Sequence, residues 1–445
     1  MTSVKELEAA GVRILRLVYA DLNGIQRGKD VALAKSDHAI EHGKPFVEAV
    51  MTIDLRHNIV CGEQDGFRDF VAMPDLSTAR ISPLEPDVAL VMCSLIELSS
   101  GDPSPLDARA AVQRLSQRLQ SHGLYPVIAA ELEFYLLEHS PTGIGGLRPC
   151  LQGDSGVYTV GTTADPGGLI RRMFDACDAF GLGPTAFSHE YGHAQFEINL
   201  AHGDALETTD RTFLFKSLVK EIAAIEGLVA TFIGLPADND ECSGLHLHLS
   251  LNDENGRNLF DDPAQADGLA IVARQFAAGI IDHARAITGV LNPTVNAYKR
   301  IALGGLSPKF ANWGYDNRLA MLRFCHERGP ATRFEIRSGD GSANPYLATA
   351  ATLAAGLDGI ERGLELPSPV TGNPYEGPEE LLGAPLPSSL PDALDALEAD
   401  VTLVGLLGVG LVSTFVRNKR YEVARWEAEL MRLTAWEIDE YAEKL

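Results

Sequence analysis

Residues 245–251 read Leu245-His246-Leu247-His248-Leu249-Ser250-Leu251. Side chains alternate across a β-strand, so the four leucines share one face and His246, His248 and Ser250 share the other. The leucine face belongs against a core. A surface strand more usually carries Lys, Glu or Thr on its second face, so two imidazoles and a hydroxyl in register mark a site. Three other segments repeat the construction. Glu131 and Glu133 share one face, backed by Leu132 and Phe134. Gln195, Glu197 and Asn199 share another, backed by Phe196 and Ile198, with Glu190 just upstream. Arg333, Glu335 and Arg337 share a third, backed by Phe334 and Ile336.

Each strand alone has an ordinary explanation: a solvated Glu-x-Glu face, a hydrogen-bonded histidine, a salt-bridge ladder. Together they supply Glu131, Glu133, Glu190, Glu197, Glu335 and His246. Desolvated carboxylates repel, so they converge only around a counter-charge. Carboxylate oxygen with little imidazole and no thiolate suits Mg²⁺ or Mn²⁺ better than Zn²⁺. Arg300, Arg318, Arg323, Arg333 and Arg337 cluster in one stretch, and arginine binds carboxylate and phosphate bidentately. Metals plus an arginine cluster suit phosphoryl transfer. No Gly-x-x-x-x-Gly-Lys-Ser/Thr loop is evident, so any ATP would be held in another arrangement.

The remaining sequence sets bounds. A chain of 445 residues predicts two domains. Apolar residues at 45% and charged residues at 22% fit a soluble globular protein. Lys plus Arg number 37 against 61 Asp plus Glu, a net charge of −24, which opposes binding to nucleic acid or an anionic membrane. Cys61, Cys93, Cys150, Cys177, Cys242 and Cys325 form no Cys-x-x-Cys pair and read as free thiols. No secretory leader is visible at the N-terminus. The longest apolar stretch, about 403–416, is below the about 20 residues needed to span a bilayer. These features predict a cytoplasmic protein.

Residues 12–21 lead into Asn23-Gly24, a hairpin signal, and residues 88–93 read as a strand. The cluster Leu98-Ser-Ser-Gly-Asp-Pro-Ser-Pro-Leu106 is a candidate domain boundary, after which Asp107 would cap a helix over 108–120. Helices are predicted over 169–180, 210–226, 269–290 and 348–364. Residues 367–392, rich in Pro and Gly, read as a surface excursion.

These motifs resemble the glutamine synthetase family, and the resemblance covers nearly the whole chain. Met73-Pro74-Asp75-Leu76-Ser77-Thr78, Glu131-Leu132-Glu133-Phe134, His189-Glu190, Gln195-Phe196-Glu197 and Ser243-Gly244-Leu245-His246 follow in family order. Asn292-Pro293-Thr294, Asn317-Arg318, Arg333-Phe334-Glu335-Ile336-Arg337 and Asn344-Pro345-Tyr346 continue it. The resemblance implies an α+β fold: an N-terminal β-grasp domain, residues 1–100, and a catalytic domain, residues 101–445, with a curved antiparallel sheet surrounded by helices. It implies ATP and two or three Mg²⁺ or Mn²⁺ ions. One ion would take Glu133, Glu190 and Glu197; another would take Glu131, His246 and Glu335. Arg300, Arg337, Gly244 and Glu133 would line the glutamate site. His248, Ser250, Arg323 and Arg333 would contact the nucleotide, and Arg318, Arg337 and Glu131 would act in catalysis. It also implies a homo-dodecamer with sites completed between subunits.

Two departures bear on the substrate. The family's small-domain Asp, in Asp-Gly-Ser-Ser, corresponds here to the stretch Phe46-Val47-Glu48-Ala49-Val50-Met51, with Glu48 a loosely aligned substitute. Its flap Glu, in Gly-Tyr-Glu-Ala-Pro, corresponds to Leu306 in Gly304-Gly305-Leu306-Ser307-Pro308. Glu241-Cys242 also replaces an Asn-Gly pair. Metal and phosphate parts are kept while ammonium parts are lost, which predicts ligation of glutamate to an organic amine: a polyamine, ethanolamine or another monoamine. Ammonia as acceptor, and a non-catalytic structural or regulatory ring, are the alternatives. Tyr375, near the family's adenylylation loop, reads as an ordinary exposed tyrosine.

Overall fold

The computed structural model describes residues 3–63, 66–151, 156–238, 240–303, 306–376 and 382–442. The histidine segment is the strand Gly244–Asn252. It pairs antiparallel with Tyr125–Ile144 on one side and Phe334–Asp340 on the other. Gln195–Leu200 pairs with the far side of Tyr125–Ile144. The four chemistry-bearing strands are therefore consecutive neighbours in one sheet. Among the described residues that sheet has ten strands, antiparallel except where Trp313–Tyr315 runs parallel to Leu322–Phe324 at its edge.

The alternation explains its position. Leu245, Leu247, Leu249 and Leu251 are all buried. Behind the sheet, Phe134 meets Phe196, Phe215 and Phe232 at ring-centroid distances of 5.7–6.2 Å. Phe215 comes from the helix Ala205–Ile225, which Asp204 caps by accepting from the N–H groups of Leu206 and Glu207. Burying each such side chain stabilises the fold by about 1.5–3 kcal/mol. A one-residue slip would turn that face outward, so the register of the opposite face is fixed as well.

A second sheet, six-stranded among the described residues, is built from residues 14–97. Ile14–Ala20 and Gln26–Ala32 form the expected hairpin. Its turn needs Gly24, which has φ +74° and lies so close to Asn344 that an added Cβ would sit 3.1 Å from the Asn344 Cα. Asn344 donates from Nδ2 to the Asp21 carbonyl at 3.0 Å while its Oδ1 caps the helix Pro345–Arg362. Asp107 caps Ala108–Ser121 as expected, and its second oxygen accepts from the Leu95 N–H at 2.8 Å.

Several expectations shift. The helix expected over 210–226 starts at Ala205, and that over 348–364 starts at Pro345. Within 367–392 the helix Leu390–Ala399 already begins. The apolar run 403–416 straddles a 107° bend between two helices, and no single helix among the described residues is long and apolar enough to cross a membrane. Tyr375 is half-buried rather than exposed: its hydroxyl accepts from the Lys309 N–H at 3.2 Å and its ring lies 5.9 Å from that of Phe310.

The helix expected over 269–290 divides at His283 into Ile271–Asp282 and Ala284–Leu291. At the break His283 is held between two carboxylates. His283 Nδ1 lies 2.5 Å from Asp400, and Nε2 lies 3.0 Å from Asp358. A neutral imidazole donates through one nitrogen only, so two carboxylates favour the cation. Burial opposes the charge, but the bonds to Asp400 and Asp358 raise the ring above its ordinary value. Asp282 and Arg362 complete the charged surroundings. The folded protein thus holds this proton to a higher pH than the unfolded chain. The resulting stabilisation is complete below about pH 6.5 and is lost as pH rises through the raised value. Thermal unfolding followed by circular dichroism should show the melting temperature falling over that interval, and His283→Gln should lower the melting temperature at pH 6 and flatten the slope.

Candidate active site

Register builds the site. His246 faces Glu131, and Glu133 faces Glu197. Glu335 faces His248 on one side and Arg323 on the other. Acid, imidazole and guanidinium therefore alternate in rows across one concave surface. A bulge lies between Gly244–Asn252 and Phe334–Asp340: Leu245 pairs with Gly339 but Leu247 with Ile336, so Arg337 and Ser338 together oppose His246. Bulges release ladder carbonyls and re-aim side chains. Here the released carbonyls of Arg337 and Ser338 accept from Arg300 at 3.2 and 3.5 Å, and Ser338 also accepts from Asn292 at 2.9 Å. This bulge brings the buried guanidinium of Arg300, from the helix Ala297–Leu303, to the sheet.

On this face, among the described residues, two groups of possible metal ligands form, each with its ligand atoms within 4.8 Å of one another: Glu131, His246 and Glu335; and Glu133, Glu197 and His246. The first is the set expected from sequence. The second differs, with His246 in the place expected for Glu190. Glu190 accepts instead from Ser188 Oγ at 2.8 Å. Charge is distributed unevenly between them. His246 and His248 hold Glu131 well below the usual carboxylate range although burial opposes them. Glu335 is pulled down to about 2 against its burial by His246, Arg337 and His248. On the other side burial, followed by the charges of Glu133 and Glu131, pushes Glu190 up to about 7. Burial and the charges of Glu131, Glu133 and Glu190 push Glu197 well above its ordinary value. Among the described residues no salt bridge engages Glu133, Glu190 or Glu197, although the charges of Arg318 and Arg300 reach this half, and the oxygen-rich donor set fits Mg²⁺ or Mn²⁺.

The arginines cluster at Glu335. Arg323 donates to it at 2.8 Å and also binds Asp316. Arg337 is paired with it and donates from Nε to the Arg318 carbonyl at 3.0 Å. Arg333 donates to His248 Nδ1 at 3.3 Å. His248 Nε2 lies 3.0 Å from Glu131 but out of hydrogen-bond alignment. Arg318 is exposed, and among the described residues its guanidinium makes no hydrogen bond, although its charge acts on Glu190. Ser250 lies two residues beyond His248 on the same face and is half-buried.

Gly244 sits among three of these groups. An added Cβ would be 3.1 Å from Arg300 Nη2, 3.1 Å from His246 Nε2 and 3.6 Å from Glu133 Oε1. Sequence reasoning missed Tyr135 and Asp240, whose 3.1 Å hydrogen bond joins the sheet to the loop before Gly244. It also missed the role of Ser188. Only Ser188 carried a signal, two residues before Glu190 on a strand.

A family model described as "Glutamine synthetase, catalytic domain" matches residues 105–441. "Glutamine synthetase" of Pyrococcus horikoshii is 35% identical over 456 residues, covering 98% of each chain, and that of Pyrococcus abyssi is 33% identical over 461 residues, covering 99% of each. A solved structure described as "GmaS/ADP complex-Conformation 1" superimposes with a TM-score of 0.88 at 30% identity over 100% of both chains. Another, "Apo GmaS without ligand", gives 0.87 at 31% identity, covering 99% of this chain and 100% of that one. GmaS is γ-glutamylmethylamide synthetase. This fold and site define an ATP-dependent ligase. The chain belongs to the glutamine synthetase family, whose members use ATP and divalent metals.

Two substitutions test the site. Gly244→Ala should leave the melting temperature close to wild type but raise the KM for the acid substrate roughly tenfold, equivalent to about 1.4 kcal/mol. Glu197→Gln should raise the melting temperature of metal-free protein by relieving like-charge repulsion and should diminish the further rise produced by Mn²⁺. Scanning calorimetry with and without the metal measures both shifts.

Proposed function

We propose that this ligase joins the γ-carboxylate of glutamate to an organic amine. The observation that carries the reading is Leu306, which stands at the position of the family's flap carboxylate and is 44% exposed. Gly304 and Gly305 of that flap lie outside the described residues. A second observation supports it: Glu48, the loosely aligned substitute for the small-domain acid, is taken up by Arg68 at 3.1–3.2 Å on its own chain. Ammonium needs a carboxylate to attract and deprotonate it, whereas an alkylamine gains affinity by burying carbon against Leu306. The likeness to γ-glutamylmethylamide synthetase supports this choice of acceptor.

In this reading Arg300 and Arg337 hold glutamate, with Gly244 leaving room beside Glu133. Arg318, Arg323 and Arg333 meet the ATP phosphates, with His248 and Ser250 beside the nucleotide. Glu133 and Glu197, joined by Glu190, hold one divalent cation; Glu131, His246 and Glu335 hold another. A bound cation would supply positive charge against the phosphate oxygens. The γ-carboxylate oxygen attacks the terminal phosphorus of ATP and ADP leaves. The amine nitrogen then attacks the resulting acyl phosphate carbonyl, phosphate departs, and the nitrogen loses a proton. The arginines orient both reactants and stabilise the charge that develops on the transferring group. The division at about residue 100 and a dodecameric ring with sites shared between subunits belong to the same proposal.

Ammonia is the second reading, favoured by the name glutamine synthetase of the curated relatives. Phosphate release from ATP, glutamate and Mg²⁺ with a panel of ammonia, methylamine, ethanolamine and putrescine separates the two. One of the organic amines should give the highest kcat/KM; ammonia as the best acceptor would sink the proposal. Absence of turnover with every acceptor, despite ATP binding, would indicate a non-catalytic ring. Leu306→Glu should shift selectivity toward ammonia by roughly tenfold or more.

A further inference from the structure

We infer that Gln195 is a positioning residue that orients Glu133 toward a divalent cation and ties it to the loop preceding Gly244. Gln195 is buried, 2% exposed. Its Nε2 donates to Glu133 Oε2 at 2.9 Å and to the Cys242 carbonyl at 3.1 Å, and its Oε1 accepts from the Gly192 N–H at 2.8 Å. Two acceptors lie on one side and one donor on the other. A carboxamide satisfies all three, and only in this orientation; a carboxylate or an alkyl chain satisfies fewer. Glu133 Oε2 also accepts from the Gly244 N–H at 2.8 Å. Two donors on one oxygen fix the carboxylate plane, and among the described residues Oε1 accepts no hydrogen bond. That oxygen is left for a cation.

The same amide closes a tight turn. Ala194, just before Gln195, has φ +57°, a left-handed conformation costly for a residue with a Cβ. Gly192 packs so closely that an added Cβ would fall 1.7 Å from the Tyr135 hydroxyl and 2.8 Å from Asp240 Oδ1. Asp240 in turn accepts from the His193 N–H at 3.0 Å. This turn follows Glu190, so Gln195 links a ligand strand, the Glu190 segment and the 240–244 loop through one side chain. Groups that orient a metal's ligands typically change its affinity ten- to a hundredfold when removed.

The inference rests on the cation assignments proposed above, and Mn²⁺ alone tests it. Full-length protein is titrated with Mn²⁺ and followed by calorimetry and electron paramagnetic resonance, with Glu133→Gln as reference. Gln195→Asn keeps the amide but falls short of Glu133; Gln195→Met keeps the volume without the donor. Both should weaken, roughly ten- to a hundredfold, the class of sites that Glu133→Gln removes, and retain the class that depends on Glu131 and Glu335. If Gln195→Asn, shown folded by its thermal melt, binds Mn²⁺ within roughly twofold of wild type in both classes, or loses both equally, Gln195 does not position Glu133. If wild-type protein has no class sensitive to Glu133→Gln, the cation assignment fails, and the inference with it.

Discussion

Repulsion between carboxylates held out of water is the constraint on which this structure turns. Glu131, Glu133, Glu197 and Glu335 are brought by strand register onto one concave face, with Glu190 at its edge. One side of that face is neutralised from within. Glu335 is gripped by Arg323 and Arg337, and Glu131 faces His246 and His248. On the other side no salt bridge forms among the described residues, and burial, followed by the neighbouring carboxylates, displaces Glu190 and Glu197 toward their protonated forms. The asymmetry is chemically informative. On the first side protein cations hold the acids low; on the second, burial and like charge raise them.

Such a face can persist only on a rigid support. The leucines of Gly244–Asn252 and the phenylalanine cluster around Phe134 bury the reverse side of the sheet, so the repulsive surface cannot relax by shifting register. Local irregularities then tune what the regular pleat leaves approximate. The bulge opposite His246 frees two carbonyls for Arg300. Gly244 leaves space between Arg300, His246 and Glu133. Gln195 holds Glu133 from below while bracing a turn strained at Ala194. The regular elements place the groups to within a few ångströms, and these irregularities set their orientation.

Most of this arrangement was legible as period-two alternation. Four strands with one apolar and one chemical face had to share a sheet, and they proved to be neighbours. The order of the rows, and the approach of His246 to Glu133 and Glu197 while Glu190 accepts from Ser188, depend on strand pairing and on Ser188, which alternation does not encode. Asp240 and Tyr135 were invisible because their bond spans 105 residues. The break at His283 was hidden for a similar reason. Helical periodicity continues through 269–290, and the carboxylates that hold His283 at the break, Asp358 and Asp400, lie far along the chain. Tyr375 looked exposed because its neighbours are Pro, Asn and Glu, but a backbone donor at Lys309 draws it inward.

The proposed change of acceptor fits this separation of parts. Activating a carboxylate with ATP demands fixed charges, and the residues assigned to it lie on or beside the sheet, braced by the core. Accepting a nucleophile demands less. An amine needs a route to the carbonyl, somewhere to place its carbon, and a group to take its proton. The positions proposed to differ from an ammonia-using site, Leu306 and the stretch around Glu48, lie outside the ten-stranded sheet and take no part in its register. In the proposal, replacing an acid there would remove affinity for a small cation and leave the repulsive face and its counter-charges unchanged. A ligase built this way can change its amine through loop substitutions while a substitution at Glu131 or Glu335 would disturb the charge balance of the whole site.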